Sequence, residues 1–385
     1  MPIRRSEMQE MATGFGRAVT VGAVGSHSAI DVADGAVTEG FPTVLLCAKG
    51  RERTYAQYFR AKRDPHGRVV RGCVDDVWTL DAFADAASPP VQDRLRAGRV
   101  LLVPNRALSS YVPLEAIEDD LRVPMVGSRS MLRIEERSER TNYYTLLKRA
   151  GVRAPEPFAG PESINALAMV KLPHAVRRLE RGFFTAASAT EFHEKVRQLE
   201  SAGTIRPEDL DGARIERYIV GPVFNFNFFF SPLAPRDEAL ELLGVDERRE
   251  SSLDGLVRLP AAQQLEMGAE GRSPRYTVVG HGSLTVRESI LEEVFRMGEK
   301  FVDAAREAYP PGVIGPFCLQ TCIDPEGTPW VFDVAVRIGG GTNIHLALGH
   351  PYGNALWREP MSSGRRIARE IRLAIELNRM EDIVT

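Results

Sequence analysis

The sequence predicts an α/β layer of parallel strands followed by an α+β unit with antiparallel sheets. Two observations carry that prediction. In the first third, short apolar runs alternate with stretches of helical spacing, the pattern of a parallel sheet whose crossovers are helices. Beyond residue 151 the texture changes to closely spaced strands separated by turn residues, interrupted by one helix. A chain of 385 residues, 43% hydrophobic and 26% charged, is long enough for two or three packed units.

Residues 18–25, AVTVGAVG, are expected to form a buried strand, and Ile30, Ala33 and Val37 carry a helical spacing that Gly40 stops. FPTVLLCAKG, RVLLVPN and VPMVGS repeat the apolar run, with LDAFADAA and LEAIEDDL as helical stretches between them. The first domain is expected to cover 1–130 and the second 131–385. The second opens with the helix SERTNYYTLLKRAG, ended by Gly151 and the prolines of VRAPEP. ALAMVKLP, RGFFTAAS, ARIERYIVG, VFNFNFFFSP and ELLGVDERRES read as strands, with ATEFHEKVRQLES as the helix among them. ILEEVFRMGEKFVDAAREA is a long helix before two final strands. SSGRRIAREIRLAIELNRM closes the chain as an amphipathic helix whose Ile367, Ile371, Leu373 and Ile375 pack on the body.

Composition excludes several function classes. A net charge of -3 and a pI near 6.2, with arginines scattered among acids, leave no electrostatic footprint for nucleic acid. Cys47, Cys73, Cys318 and Cys322 lack disulfide or zinc spacing, which suits a reducing cytoplasm. The opening MPIRRSEMQEMATGF has no apolar signal core, and no apolar run approaches the roughly 20 residues that cross a bilayer. A cytoplasmic location without membrane contact is expected.

Chemistry concentrates near the carboxyl end. In FCLQTCIDPEGTPWVFDVAVR, a two-residue loop at Glu326 and Gly327 would place Gln320 opposite Asp333, an amide oxygen and a carboxylate within reach of one hard cation. Ala335 and Arg337 share the parity of Asp333, and a solvated strand with an incidental acid is the competing reading. The glycines of GGGTN allow close backbone approach or simply a turn. Lys171, in an apolar strand, either meets an anion such as phosphate or reaches out to solvent. Glu216 to Val220 read as a linking segment able to present its backbone to an adenine edge, or as an ordinary strand. His27, in the first turn after a strand, suits a phosphate or carboxylate, or else helps SHS cap the helix. Arg248, Arg249 and Arg258 in DERRESSLDGLVRLP suit an anionic ligand or a solvated face. His345 and His350 lack a helical metal spacing and are read as structural.

In their order and spacing, TVGAVGSHSAIDVADGAVTEGF, VPMVGSRSMLR, IERYIVG, ESSLDGLVRLPA, VRESILEEVF, GPFCLQTC and GGGTN resemble the ATP-grasp superfamily. Along nearly the whole chain they look specifically like the archaeal-type formate-dependent ligases of purine biosynthesis. The resemblance implies a Rossmann-like N-terminal domain followed by an ATP-grasp fold, two subdomains that clamp ATP, and a homo-oligomer. It implies a reaction in which ATP phosphorylates a carboxylate to an acyl phosphate and an amine then displaces phosphate, with magnesium neutralising the transferring group. On matching positions Lys171 would touch ATP phosphate, Glu216, Arg217, Tyr218, Ile219 and Val220 would hold adenine, and Gln320 with Asp333 would ligate the metal. Arg337 would stabilise the developing acyl phosphate, and His27 with Ser28 would face the ribonucleotide; Arg337 and His27 are the expected catalytic pair.

The resemblance also marks departures. Where the family has a glycine-rich flap, the chain reads PHAVRRLERGFF, whose Arg177 and Arg178, with Arg181, would grip ATP phosphates directly. Asp333 and Ala335 stand where the family has a glutamate and an oxygen-bearing residue. Asn105 and Ala107 replace members of a His-Gly-Ser motif, and His281 replaces a substrate-contacting asparagine; with Arg258 these line the expected substrate pocket. The leading expectation is therefore a ligase of this type, or a relative acting on a changed substrate. The alternative is a non-catalytic nucleotide-binding or assembly protein derived from one.

Overall fold

The computed structural model describes residues 3–173, 183–269 and 277–385. Taken in chain order, the framework runs β1 (Thr20–Val24), α1 (Ala29–Thr38), β2 (Thr43–Ala48), β3 (Asp76–Leu80), β4 (Val100–Leu102) and α2 (Tyr143–Ala150). It continues with β5 (Ala168–Lys171), β6 (Phe183–Ala186), β7 (Arg214–Arg217), β8 (Val223–Phe230), β9 (Leu240–Glu250) and β10 (Val278–Leu284). Last come α3 (Glu288–Ala308), β11 (Gly315–Ile323), β12 (Pro329–Ala335) and α4 (Ser363–Leu377).

The first four strands form an all-parallel sheet in the order β3-β2-β1-β4, as the apolar runs predicted. β1, β2 and β4 are buried almost throughout because helices and loops cover both faces, which is why they read as continuous apolar runs. The chain order reverses between β1 and β4, so the crevice at their carboxyl ends is the place where such a sheet binds ligands. VPMVGS, expected as a strand, pairs with β4 only through a single bridge of Met125 to Leu102. LDAFADAA and LEAIEDDL make one short helical turn each, at Phe83–Ala87 and Ala116–Asp120.

Two antiparallel sheets follow, one ordered β6-β5-β7 and the other β10-β9-β8-β11-β12. Alternation explains the larger one. In β8 the aromatic Phe226 and Phe228 point into a core with Phe301 of α3 and Phe317 of β11, while Asn225 and Asn227 point the other way. α2 ends where expected, Gly151 adopting the left-handed conformation at φ 62°. Its start is later than predicted: Asn142 caps it by accepting from the Tyr144 amide at 3.1 Å.

α4 packs its backbone against α1. A Cβ on Gly35 would collide with the Gly364 and Arg365 backbone, and one on Gly364 with Asp31, so only glycines permit this approach. Ile367 and Ile371 are buried as expected. The same helix also buries Arg366, which bonds Glu241 at 2.9 Å and Glu370 at 2.8 Å. No helix among the described residues is long and apolar enough to cross a membrane.

Candidate functional site

A cavity of about 1000 Å³ opens where the carboxyl ends of the parallel strands meet the polar face of the five-stranded sheet. On the sheet side, cross-strand register builds a polar row: Asp246 of β9 faces Asn225 of β8, Asn225 faces Gln320 of β11, and Gln320 faces Asp333 of β12. The Gln320–Asp333 pairing was predicted, but the turn that produces it was not. Near the loop the partners run one residue out of that register, Ile323 with Pro329 and Thr321 with Val331. The loop is longer than two residues, with the Asp324 amide donating to the Thr328 carbonyl at 3.0 Å. A bulge at Phe332 then restores the pairing.

The row is held by hydrogen bonds. Asp246, 1% exposed, accepts from Asn225 Nδ2 at 2.8 Å, Asn227 Nδ2 at 2.6 Å and His281 Nδ1 at 2.8 Å. Gln320 Oε1 accepts from Arg248, which sits two residues beyond Asp246 on the same face. Among the described residues no side chain donates to Asp333, whose Oδ1 accepts from the Val334 amide at 3.1 Å. Asn225, Asn227 and Asp246 were missed by sequence reasoning. The alternation of asparagine with phenylalanine in VFNFNFFF was the available signal of a polar face opposite a core.

Just beyond the end of β12, Arg337 lines the same cavity, 7% exposed, its Nη1 donating to the Ile338 carbonyl at 2.9 Å and its Nη2 to Glu135 at 3.2 Å. Its Nε has no partner among the described residues. His27, at the carboxyl end of β1, is open to the cavity yet enclosed by protein on most sides. That burial, and then the charges of Arg337 and Arg106, push its pKa down to about 4, so the ring is neutral at physiological pH. A Cβ on Gly340 would touch the His27 ring at 3.6 Å, and one on Gly341 would collide with His281 and Asp246. The glycines of GGGTN thus let the backbone run between two imidazoles.

The other expected site residues divide by position. Asn105 is fully buried and donates from Nδ2 to the carbonyls of Val24 at 2.8 Å and Ser26 at 3.0 Å, while its Oδ1 accepts from the Leu108 amide. It shapes the loop that carries His27 rather than lining the cavity. Ala107 is in the core, and Ser28, also buried, donates to the Gly339 carbonyl, tying that loop to GGGTN. Arg258 is exposed outside the cavity lining, donating to the Asp254 carbonyl at 3.2 Å. Arg177, Arg178 and Arg181 lie outside the described residues.

Lys171 is neither solvent-reaching nor in the cavity lining. Its ammonium, 3% exposed, meets Glu216 Oε1 at 2.5 Å, the Tyr144 hydroxyl at 2.7 Å and the Phe332 carbonyl at 2.9 Å, using all three protons. The bulge at Phe332 supplies that carbonyl. Burial, the largest influence, pulls the lysine pKa down, but Tyr144 and Glu216 together hold it above its ordinary value. Glu216 also accepts from Arg214 at 2.7 Å and Tyr144 at 2.9 Å. Beyond it, Arg217 and Val220 are exposed, the Tyr218 amide donates to the Leu167 carbonyl at 2.9 Å, and the Ile219 carbonyl accepts from Cys322. His345 and His350 are buried and stacked at 3.7 Å, bonded to Ser283 and Ser363.

A parallel layer joined to two antiparallel sheets, with a polar cavity facing both, is the architecture of ATP-grasp enzymes. Solved structures share it at identities that speak for the fold alone. Biotin carboxylase of Campylobacter jejuni matches with a TM-score of 0.57 and 11% identity, covering 92% of this chain and 71% of that one. N5-carboxyaminoimidazole synthetase of Staphylococcus aureus, solved with ADP, matches at 0.53 and 10%, covering 85% and 72%.

The chain belongs to the family of 5-formaminoimidazole-4-carboxamide ribonucleotide synthetases, which are ATP-grasp ligases. A relative of that name from Methanothermobacter thermautotrophicus is 39% identical over 384 residues, covering 100% of this chain and 99% of the relative. Another from Methanopyrus kandleri is 38% identical, with full coverage of both. The crystal structure of the IMP biosynthesis protein PurP from Thermococcus kodakaraensis matches with a TM-score of 0.67 and 30% identity, covering 95% of this chain and 100% of that one. Family profiles described as "Domain of unknown function (DUF1297)" and "Protein of unknown function (DUF1246)" cover residues 191–385 and 21–158. Membership of a ligase family supports the enzyme reading over the non-catalytic alternative.

Proposed function

We propose that the protein uses ATP to activate formate as formyl phosphate and transfers the formyl group to the amine of aminoimidazole carboxamide ribonucleotide. The observation that carries this reading is the cavity, where Gln320 and Asp333 stand beside each other and Arg337 and His27 line the same space. Its volume suits small-molecule ligands with phosphates. End-to-end similarity to synthetases of that product supports it.

Within this reading Arg337, anchored by Ile338 and Glu135 in the cavity lining, sets its positive charge against the oxygens of the acyl phosphate. His27 contacts the ribonucleotide as a neutral ring, and Arg106 and Arg337 around it favour the ribonucleotide phosphate. ATP lies across the two antiparallel sheets of a second domain that begins near residue 131. Lys171 reaches its phosphates by exchanging one of its three internal bonds, and Glu216, Arg217, Tyr218, Ile219 and Val220 border the adenine.

Magnesium fits Asp333 and Gln320. One carboxylate with no side-chain donor among the described residues, beside one amide oxygen, suits an ion that keeps waters and takes phosphate oxygens as its other ligands. When bound, the ion would neutralise charge on the transferring phosphoryl group. Ala335 offers it nothing, and Gln320 would first release Arg248, which frees a guanidinium for the same phosphates. Family likeness further supports a cytoplasmic homo-oligomer acting on small molecules.

The test is ADP release by the full chain with ATP, magnesium, formate and the aminoimidazole ribonucleotide. Release dependent on both co-substrates, with the formylated product formed in equal amount, is expected. Measurable ATP binding without turnover on this pair would sink the reading.

A further inference from the structure

We infer that His281 is the general base of the amide-forming half of the reaction, accepting the proton that the attacking amine must lose. The assignment rests on the ligase reading above. It stands on three features of the cavity.

The first is orientation. Asp246 lies 2.8 Å from His281 Nδ1, so that nitrogen carries the proton and Nε2 keeps its lone pair. The aspartate cannot turn away, because Asn225 and Asn227 each donate to one of its oxygens. Gly341 closes the arrangement from the remaining side, where any Cβ would strike both partners. Among the described residues Nε2 has no hydrogen-bond partner, and the ring lines the cavity.

The second is electrostatic. Two histidines sit on consecutive glycines of the same loop, and their surroundings differ in sign. His27 is flanked by Arg337, Arg106, His281 and Arg51, which oppose a further positive charge there. His281 has Arg248 as its cross-strand neighbour, but Arg248 is turned to Gln320, while the buried Asp246 carboxylate touches the ring directly. An imidazolium at His281 is therefore paired the moment it forms, and one at His27 is not.

The third is an acceptor. Asn225 is 4% exposed and lines the cavity; its Nδ2 is committed to Asp246, and its Oδ1 has no partner among the described residues. That oxygen is itself buried, and a small shift of the side chain that uncovers it would hold the amine by one N–H and leave the other for His281.

The step balances. The amine lone pair forms the N–C bond to the formyl carbon, the C–O bond to phosphate breaks, and phosphate leaves with that electron pair. The proton on nitrogen passes to His281 Nε2 and then to the departing phosphate or water. Arg337 and Asp333, which face the phosphate, have no part in the proton transfer.

The test separates the two halves in the full-length protein. His281→Asn keeps a hydrogen bond to Asp246 but cannot accept the proton. Amide formation at saturating substrates is expected to fall by about 10²-fold or more. Formate-dependent scrambling of oxygen label between bridge and non-bridge positions of ATP, which reports acyl phosphate formation alone, is expected to stay within about threefold. Imidazole in the buffer is expected to restore part of the activity of His281→Gly. Wild-type amide formation by His281→Asn, or equal loss of both halves, would overturn the assignment while leaving the ligase reading intact. Failure of the wild-type chain to make the amide at all would remove both.

Discussion

Glu216→Gln isolates the interaction that keeps Lys171 inside the protein. The carboxylate serves three donors with two oxygens: Lys171 on Oε1, and Arg214 and Tyr144 on Oε2. An amide has one oxygen, so its NH₂ must face a donor on one side. Arg214 is the more exposed cation, 24% against 3% for Lys171, and water can relieve it. The NH₂ therefore turns to Arg214, and Lys171 keeps a neutral acceptor in place of a charge. Breaking a buried pair by removing one partner costs roughly 3–5 kcal/mol. The retained hydrogen bond places this substitution near the lower figure, about 3 kcal/mol. Urea unfolding of the nucleotide-free protein should show that loss at pH 7. The double variant Lys171→Met, Glu216→Leu should cost less than the sum of its singles, because neither charge is left behind. A raised lysine pKa means that the lysine's share of the pair's contribution is present at neutral pH and fades as pH rises through that value. The gap between wild type and Glu216→Gln should accordingly narrow in alkali. A gap under about 1 kcal/mol at pH 7, or additive singles, would refute the reasoning.

Three further outcomes follow from buried groups and close contacts. Burial pushes the pKa of His345 to about 4 and of His350 well down, so both favour unfolding as pH falls below about 6.5, whereas Asp31, raised by burial to about 6, gains stability over the same descent once protonated. With His27, also pushed down to about 4, and Asp34, also raised by burial, three histidines outweigh two aspartates, so Tm should fall from pH 7 to pH 4.5, and His350→Asn should flatten the profile. Arg366→Met should destabilise by about 3–5 kcal/mol, because Glu241 and Glu370 would lose their shared buried cation; equilibrium unfolding measures this. Gly341→Ala carries no backbone penalty at φ -93°, but its methyl must part His281 from Asp246. Amide formation should drop with ATP affinity unchanged, as steady-state kinetics and nucleotide titration together would show.

The sequence by itself determined most of the element order, because apolar runs, a glycine stop and alternating strands are local signals. It also placed Gln320 beside Asp333, though through a two-residue turn that the structure replaces with a longer loop and a bulge. It could not locate the partners of a buried charge. Lys171 and Glu216 are 45 residues apart, and only the antiparallel pairing of β5 with β7 and a bulge at Phe332 bring ammonium, carboxylate and carbonyl together. Asn105 looked like a pocket residue and proved to be a strut, because the carbonyls it bonds belong to a loop some 80 residues earlier. The expected two-residue turn failed for a related reason: a bulge leaves no mark in residue parity near the loop, yet shifts everything beyond it by one. The Asp246–His281 pair likewise depended on register between β9 and β10 and on the close approach of Gly341. Local chemistry sets which elements form; which charges meet is decided by long-range register, because a desolvated group takes whichever partner the folded sheets bring within 3 Å.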